Sequence, residues 1–234
     1  MASCQATFTS VTSLTLTFCE QPFQPTQGRP GKFILNVSGP VWLIDDVGPK
    51  EEEYEKMNRK IIIRDEIPKD ASAITDVTIA AFKTLAISQH TEQFIVEELR
   101  AAKALALSLV AEIDGLVIGH IALSPVTISD GTPHWYGLGP VSVLPEYQRR
   151  GIGKKLIEDG LSRLKDSNAR GCCLVGHPEY YGKFGFKNIS GLMHEGVPPE
   201  VFFAMSFDGR IPHGTVTFHE AFKADGQEGG AASG

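Results

Sequence analysis

The stretch Val141-Ser-Val-Leu-Pro-Glu-Tyr-Gln148-Arg149-Arg150-Gly151-Ile152-Gly153-Lys154-Lys155 decides how this chain is read. An apolar strand ends near Leu144, a basic turn with two glycines follows, and an amphipathic segment begins at once. The first amides of a helix have no internal partner and lie at its positive dipole end. Glycines there let an anion approach the backbone, and Arg149, Arg150 and Lys154 add charge, so a pyrophosphate fits the turn. A nucleotide P-loop is excluded. Counted back from Gly153, Gln148 stands where its first glycine belongs, and Lys155 replaces the metal-binding hydroxyl. A dinucleotide fingerprint fails too, because Leu156 occupies its third glycine position.

Outward from the turn, Ile152, Leu156, Ile157, Gly160, Leu161 and Leu164 form one apolar face, which predicts a helix from Ile152 to about Ser167. Upstream, Trp135 to Leu144 reads as a strand, with Pro140 unable to donate a ladder bond and therefore suited to a bulge or a splayed edge. Leu105, Leu107, Leu109, Ala111 and Ile113 alternate as in a half-buried strand. Asp114-Gly115 is a hairpin turn, and Leu116 to Ser124 returns. Earlier still, Lys60 to Arg64 predicts a strand, and Asp70 an N-cap for a helix carrying Ile74, Val77 and Phe82. A second helix is expected from Thr91 to about Lys103. Downstream, Gly171 to Val175 reads as a strand and Pro178 to Lys183 as a short helix. Two last strands centre on Val201–Met205 and Thr215–Phe218. This order predicts an α/β (α+β) domain with a mixed sheet.

The chain has 234 residues, 42% hydrophobic and 21% charged, enough for one large domain or one domain with an extension. By composition it divides into an irregular or disordered extension, 1–58, a domain, 59–225, and a Gly/Ala-rich disordered tail, 226–234. The net charge of −6 argues against nucleic acid or an anionic membrane as partner. No apolar run is long enough to span a bilayer. Cys4, Cys19, Cys172 and Cys173 show no metal spacing, so a reducing, cytoplasmic setting is expected and no metal is called for. The first residues share a Ser/Thr bias with organelle transit peptides but lack their arginines, which leaves organellar targeting as the lesser alternative. His219-Glu220 begins like a zinc-protease motif, yet Lys223 stands where the second histidine belongs.

Gln148-x-x-Gly151-x-Gly153 after Val141-x-Val143, followed by Tyr181-Gly-Lys-Phe184-Gly185-Phe186, resembles the acetyl-CoA motif and closing element of the GNAT acetyltransferase superfamily. The likeness runs from Ile61 to Phe222. It looks closest to a bacterial branch of predicted N-acetyltransferases, which share Glu97-Glu98-Leu99-Arg100, His120 to Pro125 and His177 to Tyr181. The resemblance implies a mostly antiparallel central sheet flanked by helices and splayed at the acetyl-CoA site. It implies that acetyl-CoA is bound by Val141, Ser142, Val143, Gln148, Arg149, Arg150, Gly151, Ile152, Gly153 and Lys154. A small-molecule or peptide primary amine would then attack the acetyl carbon directly, with Tyr181 as acid toward the departing thiolate. The base stays open among His134, Glu92 and water. A homodimer stays open as well, as does the reading of a GNAT-fold acyl-CoA sensor with weak turnover. Cys172 and Cys173 are read as small fillers on opposite faces of a strand, and His177 as a satisfied loop histidine.

Overall fold

The computed structural model describes residues 60–83, 85, 88 and 90–224. The expected extension 1–58 and the tail 226–234 lie outside them, as do Cys4 and Cys19. Eight strands form the sheet: β1 (Ile62–Asp65), β2 (Leu107–Ile113), β3 (Leu116–Ile128), β4 (Trp135–Val143), β5 (Gly171–Val175), β6 (Leu192–His194), β7 (Phe202–Ser206) and β8 (Gly214–Thr217). Four helices accompany them: α1 (Ala71–Phe82), α2 (Glu92–Ala101), α3 (Ile152–Asp166) and α4 (Pro178–Tyr181). The main order is β1-β2-β3-β4-β5-β7, antiparallel except for β4 beside β5. The end of β3 carries β8, which pairs in parallel with β6. This is the mixed, mostly antiparallel, helix-flanked sheet that the resemblance implies.

The sheet is covered on both faces, and that corrects the expectation of a half-buried β2. Leu109 and Ala111 pack into the cluster beneath α3 with Leu156, Ile157 and Leu164. Val110 points the other way, to Ile74 and Val77 of α1 and Val96 of α2. Val110 shares its phase with Ser108 and Glu112, which are part-buried and bonded to Glu66 and Arg64, so that face is apolar only at its centre. The Asp114-Gly115 turn forms as read, with φ values of 50° and 83°. Asp70 directly precedes α1 but does not cap it. Its carboxylate accepts from Arg64 at 2.6 and 3.1 Å and from the Ile67 amide at 2.9 Å. The guanidinium outcompetes the helix amides because the charged pair is the stronger bond. Cys172 and Cys173 are free, fully buried, and packed into different clusters, as expected for fillers on opposite faces. Among the described residues no helix is long and apolar enough to cross a membrane.

A buried polar chain ties α2 to the sheet. Arg100 holds both oxygens of Glu66, Ser108 Oγ donates to Glu66 Oε2, and His120 Nε2 lies 2.8 Å from Ser108 Oγ. The serine has one proton and gives it to Glu66, so His120 Nε2 must be the donor. Its Nδ1 is then an acceptor with no partner. Burial pushes His120 down to about 4, from an ordinary 6.5. The folded chain therefore holds this ring neutral while the unfolded chain takes a proton as pH falls below 6.5. We expect about 3 kcal/mol of stability to be lost between those two values. Urea unfolding across that range, compared with His120→Gln, checks it. The variant should lose less on the acid side, and equal slopes would refute the assignment.

Candidate functional site

The site grows from a fork between β4 and β5. These strands pair over Trp135–Gly137 against Gly171–Cys173 and then part. β5 continues along β7 as far as Val175 opposite Phe202. β4 stays with β3, where the register slips opposite Ile121–Leu123. Gly139, at φ 142°, and the cis Gly139–Pro140 bond sit at that slip. Pro140 thus stands at the predicted bulge. The open edge of β4 and the parted β5 enclose a cavity of about 640 Å³.

At one end of the open edge stands the basic turn. Gln148 Nε2 donates to the Val143 carbonyl at 3.0 Å, which pins the turn to the end of β4. Arg149 and Gly151 take left-handed φ values of 61° and 80°. The first bond into α3 runs from Lys155 N–H to Gly151 C=O at 3.0 Å. The preceding amides, Gly151 to Lys154, have no backbone acceptor among the described residues and are free for an anion. Arg150 lies over the Tyr147 ring at 5.4 Å, and exposed Lys154 faces Glu158 at 3.6 Å. Ile152 is buried and anchors the helix rather than touching solvent. Of the three strand residues, Val141 lines the cavity and Val143 is core. Ser142 turns its hydroxyl to Thr78 on the opposite face, 3.3 Å away, so only its backbone is available to a ligand.

Tyr181 stands where β5 ends. An added Cβ on Gly176 would fall 2.2 Å from the Tyr181 ring, so the ring lies directly on the Gly176 backbone. Phe186 meets it edge-on at 6.2 Å and Tyr180 at 5.0 Å. Burial, with Tyr180 as a lesser cause, pushes the Tyr181 phenol up to about 12. Tyr180 reaches the other way. Its hydroxyl is 3.0 Å from where a Cβ on Gly153 would sit, above the first turn of α3. Both tyrosines line the cavity, Tyr181 toward the fork and Tyr180 between fork and basic turn.

The remaining polar lining is Glu92, His177 and His194, set among Phe82, Ile95, Leu138, Phe218 and Phe222. Glu92, one of the base candidates, accepts from Ser88 through Oε1 at 2.6 Å, while its buried Oε2 has no partner among the described residues. His134 is exposed in a turn before β4 and is not part of the lining. His194 was missed by sequence reasoning. It closes the three-residue β6, which is too short to show any period. Lys187 and Ala204 also exchange backbone bonds of 3.0 and 2.9 Å, which closes the chain after the Phe186 element onto β7. Among the described residues no group of His, Cys, Asp or Glu is assembled to hold a metal ion. The arrangement offers three adjoining parts: an anion cradle, an open strand edge, and a mostly apolar chamber with a phenol at the junction.

Comparison with known proteins matches the chain to one family. Residues 105–188 match the Acetyltransferase (GNAT) domain. N-acetyltransferase YhbS of Escherichia coli strain K12 is 34% identical over 128 residues, 54% of this chain and 74% of that protein. N-acetyltransferase YjhQ of the same organism is 32% identical over 124 residues, 52% of this chain and 67% of the relative. Among solved structures, a GNAT family acetyltransferase from Brucella melitensis in complex with acetyl-CoA is 50% identical. That match covers 70% of this chain and 99% of the other at a TM-score of 0.63. Escherichia coli YhbS in complex with CoA is 29% identical, covering 72% of this chain and 94% of the other, at 0.65.

Proposed function

Because this chain belongs to the GNAT acetyltransferases, we propose that it transfers an acetyl group from acetyl-CoA to a primary amine by direct attack. The observation that carries this is the adjacency of three features along one open edge: the free amides of the α3 turn, the β5-facing edge of β4 beyond Gly137, and Tyr181 at the fork. The Brucella melitensis and YhbS structures hold acetyl-CoA and CoA.

In this reading the backbone from Arg149 to Lys154, with the Arg150 and Lys154 charges, receives the pyrophosphate. Val141 to Val143 presents strand edge to the pantetheine, and an amide of Val141 or Val143 donates to the thioester oxygen. The amine nitrogen forms a bond to the acetyl carbon, the carbon–sulfur bond breaks, and the amine proton lost on attack is made up by one gained at sulfur. Tyr181, with its phenol raised to about 12, is protonated throughout the working range. A thiol loses its proton near about 8.5, so full transfer from that phenol to the thiolate is uphill. Tyr181 therefore serves best as a hydrogen-bond donor to the developing sulfur anion, while the amine proton ends on the thiol. A sensor without turnover has no need of a buried phenol at the fork, and the enzyme reading is preferred. A cytoplasmic setting and the 59–225 domain limits belong to the same proposal.

Calorimetric titration of acetyl-CoA tests it. Gly151→Glu is a poor probe, because at φ 80° any side chain strains the backbone as well as repelling the ligand. Arg150→Glu with Lys154→Glu reverses charge at exposed positions without straining the backbone, at the loss of the Tyr147 and Glu158 contacts. Micromolar binding by the natural chain is expected, weakened at least about tenfold in the double variant. That difference should shrink as salt is raised. A folded natural chain that takes up no acetyl-CoA would refute the reading.

A further inference from the structure

The chamber holds a histidine whose geometry has a use in the transfer. His194 Nδ1 lies 2.9 Å from the Val216 carbonyl oxygen. A carbonyl only accepts, so Nδ1 carries the proton, and in the neutral ring Nε2 is left with its lone pair. Nε2 makes no hydrogen bond among the described residues. The ring is held edge-on by Phe218 at 4.9 Å and tilted on Phe202 at 6.3 Å. A fixed tautomer, a ring locked by packing and a bare nitrogen beside a cavity are what a proton acceptor requires. His177 shares the lining, but it is exposed and no hydrogen bond orients its ring.

Glu92 completes the argument from the other wall. One of its oxygens is held by Ser88, and the other is buried without a donor among the described residues. A buried acceptor left without a donor is unfavourable, and a donor from a ligand would relieve that cost. A carboxylate is the wrong base for an ammonium, since it stabilises the charged form. It is the right recruiter. Most of the remaining wall is apolar: Phe82, Ile95, Leu138 and Phe222 offer a second cationic centre no carboxylate, and burying one without an anionic partner is unfavourable.

We infer that the chamber accepts a primary amine carried on an apolar, aromatic-compatible body, that Glu92 receives its ammonium, and that His194 Nε2 removes the proton before attack. The inference rests on the acetyl-transfer reading. The proton leaves the ammonium for Nε2, the freed nitrogen pair forms the bond to the acetyl carbon, the carbon–sulfur bond breaks, and the sulfur takes the proton that the attacking nitrogen then sheds. The titratable groups facing His194 across the chamber are Glu92 from α2, His177 before α4, and Tyr180 and Tyr181 on α4. From β8, β7 and the last turn it meets Phe218, Phe202 and Phe222, which do not titrate.

The test uses the full chain, thiol release from acetyl-CoA, and 2-phenylethylamine against spermidine as acceptors. The natural chain should favour 2-phenylethylamine in kcat/KM by at least about tenfold. Glu92→Gln should raise KM about tenfold with little change in kcat. His194→Gln, which keeps a donor for Val216, should lower kcat about 100-fold, lose the acid limb of the pH profile, and recover partly with added imidazole. His194→Asn is the second variant should the first lose its fold. Loss of rate with the acid limb intact and no rescue by imidazole would make His194 merely structural. So would a rate within about threefold of natural. Spermidine preferred, or 2-phenylethylamine untouched by a chain that binds acetyl-CoA, would overturn the chamber and leave the transferase standing. Absence of acetyl-CoA binding would remove the transferase itself.

Discussion

Leu156→Ala is expected to lower the unfolding free energy by 2–5 kcal/mol, roughly what Leu→Ala costs where the core closes in only partly. Leu156 is 0% exposed. It sits one turn into α3, in the cluster with Ile157, Ile121 and Leu123, and its Cδ1 is 3.2 Å from where a Cβ on Gly119 would stand. The side chain is thus bedded directly on β3, and alanine leaves a hole that α3 cannot close without disturbing the packing of its own Ile152 and Leu164. For a domain whose whole stability is about 5–15 kcal/mol this is a large share. The melting temperature should drop by about 5–20 °C. The loss also has a functional direction. α3 carries the anion cradle at its first turn, so saturating acetyl-CoA should restore part of it, about 2.7 kcal/mol at a hundredfold excess over Kd. Thermal melts with and without acetyl-CoA check both statements. An unchanged melt would mean the core has collapsed around the smaller side chain.

What the sequence discloses follows physical range. The anion turn is local, since strand end, basic glycine turn and amphipathic helix fall within fifteen consecutive residues, Val141 to Lys155, and helix periodicity shows it directly. Pro140 at the bulge was readable for the same reason, because its missing donor acts where it stands. Glu92 could be named as a candidate but not preferred over His134. The separation of the two is set by where α2 and the turn before β4 land on the sheet. Asp70 illustrates a local rule overridden by a charge six residues away, for Arg64 takes the carboxylate that the cap rule assigns to the helix. His194 was invisible. A strand of three residues has no period, and its value comes from pairing with β8 and from the Val216 carbonyl twenty-two positions on. The chamber as a whole is a product of the β4–β5 fork. No single segment carries it.

The tyrosine pair yields the last expectation, which separates chemistry from binding. Tyr181→Phe keeps the ring that lies on Gly176 and against Phe186, so the fork and the acetyl-CoA affinity should be unchanged. It removes the phenol buried at the fork, and kcat should fall by about 100-fold or more, in the range that loss of one transition-state hydrogen-bond donor costs. Tyr180→Phe should behave differently. Tyr180 stands over Gly153 at the cradle, so its loss should appear mainly in acetyl-CoA affinity, with kcat within about threefold of natural. Gly176→Ala is the geometric counterpart. The new methyl would meet the Tyr181 ring at 2.2 Å, well inside any real contact, and since that ring is boxed by Phe186 and Tyr180 it must swing off the fork. If the phenol acts through its position, Gly176→Ala should lower kcat nearly as far as Tyr181→Phe, while leaving acetyl-CoA binding intact. The two changes combined should be no worse than the more severe alone, because each removes the same donor. Rates that multiply instead would show that Gly176→Ala damages something other than Tyr181. A Tyr180→Phe protein as slow as Tyr181→Phe would move the donor to the neighbouring ring.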